Sequence, residues 1–444
     1  MFEGAVRGIS AIATNTAHTD ALDGVLASLA REATTAVGDL ERMIAIDTSF
    51  PPGAGYAAFA ELLEELARAL GFDCRAVSVP RRLWHRPGVS AAGERINLIA
   101  VRRTGRPICG LYFHTDTVPP AADWMRPPFA LTSEGSHLYG LGAADMKGSI
   151  AAAFLALRAA CASRIELAYD PMLLFCTDEE GGLYPGIRYL AEQGLLEGHV
   201  LSFNGGAVPR IWAGCFGSIN LLIRIHGRAA HAGDATSGVN AIEAALPLMN
   251  ALAMLKVRVA ERRSALPSFD QATPLTGRLT IVSAHGGASG GAVPSRFEIL
   301  VNRRYAPEET FDAALAEIQQ AVEEASEGCG ARVETMLVGH LAPVSDPTGP
   351  HWPRWQAALS RGFGWRPEEF RAWGATSSSD FGWVQRTGVR EILLGGLGRP
   401  DRNVHAAEEH TTIEDVVALA QSILAYLAAD FRPDILPESQ RSSS

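Results

Sequence analysis

The sequence predicts an α/β fold: a mostly parallel sheet covered by helices, with a smaller α+β sandwich inserted into it. Three observations carry this reading. Short apolar runs alternate with stretches of helical period, the side chains richest in chemistry fall at the ends of those runs, and the pattern changes character from about Cys215.

Residues 21–47 read as a helix that ends before the Pro51-Pro52-Gly53 turn, and residues 56–70 as a second helix that stops at Gly71. CRAVSVP, INLIAVRR and CGLYFHTD are short and apolar, as strands buried on both faces of a parallel sheet must be. An Ala-rich helix follows at 147–162, and PMLLFCTDEE is another buried strand. Beyond Cys215, FGSINLLIRIHG, RLTIVSAHGG, PSRFEILVNRRY and residues 331–338 read as strands, with helices at 238–258 and 309–326. The order β-α-β-β-α-β describes a two-layer α+β sandwich. The expected organisation is a larger domain over 1–214, an inserted domain over 215–338, and a return to the larger domain over 339–444. That return carries an amphipathic helix at 412–429 and a tail, ILPESQRSSS, with no apolar pattern, expected to be disordered.

A chain of 444 residues with 47% hydrophobic and 20% charged content belongs to the soluble globular class and holds two or three domains. The net charge of −10 argues against a general affinity for nucleic acid. No run of eighteen apolar residues suggests a membrane span, and the N-terminus has no apolar core of the signal-peptide kind. The six cysteines are isolated, without a CxxC pair, and read as free thiols of a cytoplasmic protein.

The chemistry lies in a scattered set: His114 and Asp116 in FHTDTVP, Asp145 in GAADMKG, Glu179 and Glu180 in TDEEGG, and His405 in RNVHAAEEH. Neutral imidazole and carboxylate oxygens are ligands that Zn, Mn and Co accept. Taken singly, each is an ordinary polar residue. Placed at strand ends, where open α/β sheets build their sites, the set reads as a hydrolytic metal centre.

HTDTVPP, then DWMRPPFALTSEGSHLYGLGAADMKG, then TDEEGG occur in one order, and with them the chain resembles a known family. It is the metallopeptidase and amidohydrolase family of aminoacylase, glutamate carboxypeptidase, acetylornithine deacetylase and succinyl-diaminopimelate desuccinylase. The resemblance covers residues 36 to 430 or so. It implies a zinc-exopeptidase-like fold whose inserted domain serves in dimerisation or as a lid, a homodimer, and a small substrate bearing a carboxylate. It also implies roles. Asp145 would bridge two metals, Glu180 and His405 would complete one metal site, and His114 would serve the other. Asp116 would hydrogen-bond the far nitrogen of His114. Glu179 would be the general base, and the Asp145–Met146 peptide would be cis. In IHGRAAHAGDATSGVNAIEAA, His231 would polarise the scissile carbonyl across a dimer, and Asn240 is a substrate-binding candidate. Arg304 would grip a carboxylate with its planar fork, and Asp380 in TSSSDFGW falls at another active-site position.

The departures matter as much. Asn204, in VLSFNGG, stands where the family has an acidic ligand beside His114, and its amide is a weak neutral substitute. The expectation is one tight divalent metal, with the His114 site weak or empty. Gly291 and Leu141 replace a usual Asn and Arg of the substrate site. Two enzyme readings follow: a hydrolase of an amide in an N-acyl amino acid or short peptide, and a mononuclear aminohydrolase releasing ammonia from, for instance, an amino-aromatic acid. A third reading keeps the fold as a non-catalytic binding protein.

Overall fold

The structure is a computed structural model and describes residues 21–85, 91–181, 184–287 and 290–433. The C-terminal tail ILPESQRSSS lies outside the described residues. The chain divides into two compact units: residues to Ile211 with Thr348–Arg371 and the stretch from Thr387, and Trp212–Pro347 with Ala372–Arg386.

The first unit is built on a six-stranded sheet in the order Asp73–Ser78, Ile96–Val101, Asp170–Cys176, Ile108–His114, His199–Ser202, Ile392–Leu394. The last four strands are mutually parallel, and Ile96–Val101 is antiparallel to both its neighbours. Five strands therefore run one way and a single strand opposes them, which agrees with the apolar runs in the sequence. Asp170–Cys176 is buried at every position, as a strand covered on both faces must be. Helix Lys147–Ala162 is almost wholly buried, and its alanines let it lie close to its neighbours. Helix Ile413–Leu427 packs beside it, in one continuous core with Phe113, Phe154, Phe175 and Trp355. Each fully buried Leu or Phe here contributes about 2 kcal/mol of apolar burial. The N-terminal helix ends at Ile44, short of residue 47, after a tighter turn at Leu29–Glu32. No helix among the described residues is long and apolar enough to cross a membrane.

Register fixes where the side chains emerge. His114 pairs with Cys176 and Tyr112 with Ser202, so three adjacent parallel strands end together. His114, the Asp178-Glu179-Glu180 turn and Asn204 thus leave the sheet at one edge. Asp145 precedes the buried helix Lys147–Ala162, across a cis Asp145–Met146 peptide.

The second unit holds an antiparallel sheet in the order Arg278–Gly286, Arg296–Tyr305, Gly217–His226, Arg332–Leu341. Leu221, Ile223 and Ile225 alternate inward and pack with Leu248, Leu252 and Ile318 of helices Ala241–Ala260 and Phe311–Ser326, while Ile219 packs with Tyr305 and Ala314. The chain order is β-α-β-β-α-β, as the sequence pattern indicates. The unit's extent differs from 215–338: residues 212–214, 339–347 and 372–386 also belong to it. Gly374 N–H donates to Pro267 and Phe216 N–H to Ala375, and Gly382 lies against the Ala342 carbonyl. These are contacts between positions far apart in the chain.

Candidate metal centre

Asp145 lies between two imidazoles. Its Oδ1 is 2.9 Å from His114 Nε2, and its Oδ2 is 3.4 Å from His405 Nε2. His405 Nε2 also meets Glu180 Oε1 at 2.8 Å. His114, Asp145 and Glu180 offer ligand atoms that all lie within 4.8 Å of one another. His405 sits at φ 64, left-handed backbone that a non-glycine residue adopts only when its surroundings hold it there.

The aim of His114 is set by its other nitrogen, but not as expected. Nδ1 donates to the backbone carbonyl of Asp116 at 3.0 Å, while the Asp116 carboxylate stands 3.8 Å away. That carboxylate instead accepts the Glu180 N–H at 2.8 Å. The chain turns after the strand so that the carbonyl reaches the ring first, leaving the side chain to fix the Glu179-Glu180 turn. Asn204 also departs from expectation: its Nδ2 donates to Glu179 Oε1 at 2.6 Å.

Charge explains why these groups gather. Burial pushes Glu179 up to about 8, and the carboxylates of Glu180, Asp145 and Asp116 add to the effect against His114. Burial likewise raises Asp116 and Glu180. Burial also opposes ionisation of Asp145, but His114 and His405 outweigh it and hold that carboxyl well below its usual range. Hydrogen bonds to Asp145 and Glu180 raise His405 to about 10, and Asp145 carries His114 upward against its burial. Four carboxylates, one buried and three half-buried, thus gather about two imidazoles with a surplus of negative charge. A divalent cation answers that surplus, and the nitrogen-and-oxygen donor set is the kind that Zn, Mn and Co accept.

The profile of peptidase family M20/M25/M40 matches residues 110–429. The chain belongs to this family. It is 30% identical over 373 residues to the succinyl-diaminopimelate desuccinylase of Alkalilimnicola ehrlichii, across 81% of this chain and 90% of that protein. Among solved structures, the dipeptidase Dug1p of Saccharomyces cerevisiae overlays with a TM-score of 0.74, at 16% identity, over 94% of this chain and 99% of that one. An M20-family metallo-carboxypeptidase of Sulfolobus solfataricus gives 0.72, at 17% identity, over 90% and 99%. At that identity the likeness speaks for the fold alone. This M20-family chain is a metal-dependent hydrolase acting on an amide carbon–nitrogen bond.

Two residues that sequence reasoning missed hold the M20 centre in shape. Glu409 is 2% exposed, and its carboxylate accepts the N–H groups of Gly142, Ala144 and Asp145 at 2.9, 3.0 and 2.9 Å. It lies four residues after His405, so one loop supplies a candidate ligand and clamps the turn that carries another. Asp178 takes Tyr56 Oη–H at 3.0 Å and Arg95 Nε–H at 2.9 Å, and sits at φ 62 directly before Glu179. The guanidinium of Arg95 stacks over Trp84 at 4.3 Å and Tyr56 at 5.0 Å.

The remaining candidates fall in the second unit. His231 is exposed, and its Nδ1 accepts the Gly233 N–H at 3.0 Å, which leaves Nε2 to carry the proton of the neutral ring. Arg304 donates to Asn302 Oδ1 at 3.0 Å and to Ser378 Oγ, beside the TSSSD segment. Asp380 is buried at 4% exposure. Asn240 has a different employment from substrate binding. Its Oδ1 caps helix Ala241–Ala260 by accepting Ile242 and Glu243 N–H groups, and its Nδ2 donates to Glu243. A side chain so committed at both ends is part of the helix start.

Proposed function

We propose that this chain hydrolyses the amide bond of a small carboxylate-bearing substrate, an N-acyl amino acid or a short peptide. One observation carries the reading: Glu179 stands beside the His114, Asp145 and Glu180 donor set, at the end of the same sheet. Asp145, Glu180 and His405 would hold a divalent cation, which would supply the positive charge needed to acidify a water and polarise a carbonyl. Glu179 takes the proton of the attacking water and returns it to the leaving nitrogen. Arg304 grips the substrate carboxylate, and His231, from a second copy of the chain, donates from Nε2 to the carbonyl oxygen. The metal is Zn, Mn or Co, with one ion held tightly. Asn204 faces Glu179 with its donor nitrogen, which weakens any site on the His114 side.

That same contact suits a mononuclear centre, the arrangement on which the alternative of an aminohydrolase releasing ammonia from an amino-aromatic acid depends. A homodimer suits the second unit: Leu246, Met254 and Val257 form an exposed apolar stripe on helix Ala241–Ala260, which packs on the edge strand Arg278–Gly286 bearing exposed Val282. Six free cysteines suit a cytoplasmic setting.

The test is a panel of N-succinyl and N-acetyl amino acids, dipeptides and aminobenzoates. Protein loaded with each metal is scored for released amine and for ammonia, with metal per chain measured by elemental analysis. Amine release from an acyl amino acid or dipeptide is the expected result. Ammonia alone selects the aminohydrolase, and no product with any compound or metal overturns both.

A further inference from the structure

We infer that Asn204 is a positioning residue, holding the Glu179 carboxylate in its working orientation through the 2.6 Å bond from Nδ2 to Oε1, and not a metal ligand. The inference rests on the proposed role of Glu179 as base.

The base of Asn204 is rigid. Phe203 N–H donates to the Tyr112 carbonyl at 3.2 Å, and the Phe203 ring stacks on Phe113 at 4.9 Å and 9°. Asn204 N–H reaches Ser202 Oγ at 3.4 Å. On the far side, Gly205 lies so close to Leu394 and Gly395 that an added Cβ would stand 2.6 Å and 2.7 Å from their atoms. The asparagine side chain has only two torsions, so a fixed backbone presents its amide at a nearly fixed point.

Glu179 needs such an anchor. It has three torsions of its own, and the carboxylates of Glu180, Asp145 and Asp116 all push on it. Among the described residues, Asn204 is the one hydrogen-bond donor to the Glu179 side chain. A carboxylate at position 204 has no proton to offer an ionised partner and would add to the repulsion. The amide answers it with a donor, and that use of the nitrogen is specific to asparagine or glutamine among side chains of this shape.

The experiment compares Asn204→Ala and the isosteric Asn204→Asp with the unaltered protein, on whichever acyl amino acid or dipeptide it turns over fastest. Both variants are expected to lose about a hundredfold in kcat, the scale of a misplaced reacting group, with KM within about twofold. Metal per chain in the Ala variant, by elemental analysis after dialysis, is expected to match the parent. Loss of metal from the Ala variant makes Asn204 a ligand and overturns the inference. So does a parental kcat in either variant, or a rise in KM that matches the fall in kcat. If the Ala variant does not fold, the Asp variant decides through kcat and KM alone. Glu179→Gln serves as the control: turnover by that variant refutes the base itself, whatever the position 204 variants do.

Discussion

The Glu409 carboxylate accepts the backbone N–H of Asp145 at 2.9 Å, and it takes the N–H groups of Gly142 and Ala144 as well. Burial holds Glu409 up to about 7, with Asp145 adding to it, so this acceptor is placed where its charge is costly. The arrangement ties the Asp145 turn to the loop that carries His405. A metal site assembled from distant loops needs such a tie before any ion arrives.

Replacing Glu409 by Ala leaves two buried N–H groups and the half-buried one of Asp145 without an acceptor, at about 1–3 kcal/mol for each buried group. The expected outcome is a destabilised chain and at least a tenfold weaker hold on metal. Glu409→Gln keeps one acceptor oxygen and should fall between. Metal titration and thermal unfolding of the two variants check this. Parental metal affinity in the Ala variant would remove Glu409 from the centre's support.

Arg95 and Asp178 form a buried pair, both side chains 1% exposed or less. Breaking such a pair from one side leaves a lone buried charge and costs about 3–5 kcal/mol. Asp178→Asn is the informative variant, because asparagine tolerates the φ of 62 and the change isolates the charge from the backbone. Urea unfolding at neutral pH should show a loss near that range. Tyr56→Phe, which deletes one hydrogen bond, should cost about 1 kcal/mol.

Much of this was written in the chain. The apolar runs ending at His114 and Cys176 gave the parallel strands, because a strand buried on both faces has no polar alternation to confuse it. The ordered His114, Asp145 and Glu180 signals named three side chains whose ligand atoms the fold brings within 4.8 Å of one another, with His405 beside Asp145 and Glu180. Glu409 was hidden, since the second acid of an EE pair reads as solvated until the fold brings three N–H groups onto it. The Asp116 carbonyl, and not its carboxylate, meets His114, a matter of backbone direction that side-chain patterns do not encode. The capping role of Asn240 was legible, since Asn-x-x-Glu before an apolar helical run is a capping signature. Residues 372–386 join the second unit through long-range pairing, which local periodicity does not carry.

Glu179→Gln keeps the shape of the side chain and removes its capacity to take a proton. The Glu180, Asp145 and His405 donors are untouched, so metal content should stay at the parental level. Turnover should fall by at least a hundredfold, the usual contribution of a positioned base. Single-turnover assay with elemental analysis checks both halves. Loss of metal together with activity would instead make Glu179 part of the binding site.

His199 gives a prediction far from the metal. Its ring stacks on His351 at 3.8 Å and 9°, and its Nε2 meets Tyr426 Oη at 2.5 Å. Burial, with His351 adding, holds its pKa down to about 3, against an ordinary value of 6.5. For a base with a lowered folded pKa, the unfolded chain takes a proton that the folded chain refuses. The stability this group permits is therefore whole above pH 6.5 and is lost as the pH falls from there toward 3. Between pH 7 and 4.5 the loss should reach about 2 kcal/mol. His199→Gln abolishes the titration while keeping a polar group opposite Tyr426. Urea unfolding at the two pH values should thus show a fall smaller by about 2 kcal/mol in the variant than in the parent, because every other titrating group is common to both. An equal fall in the two proteins would place the acid sensitivity elsewhere.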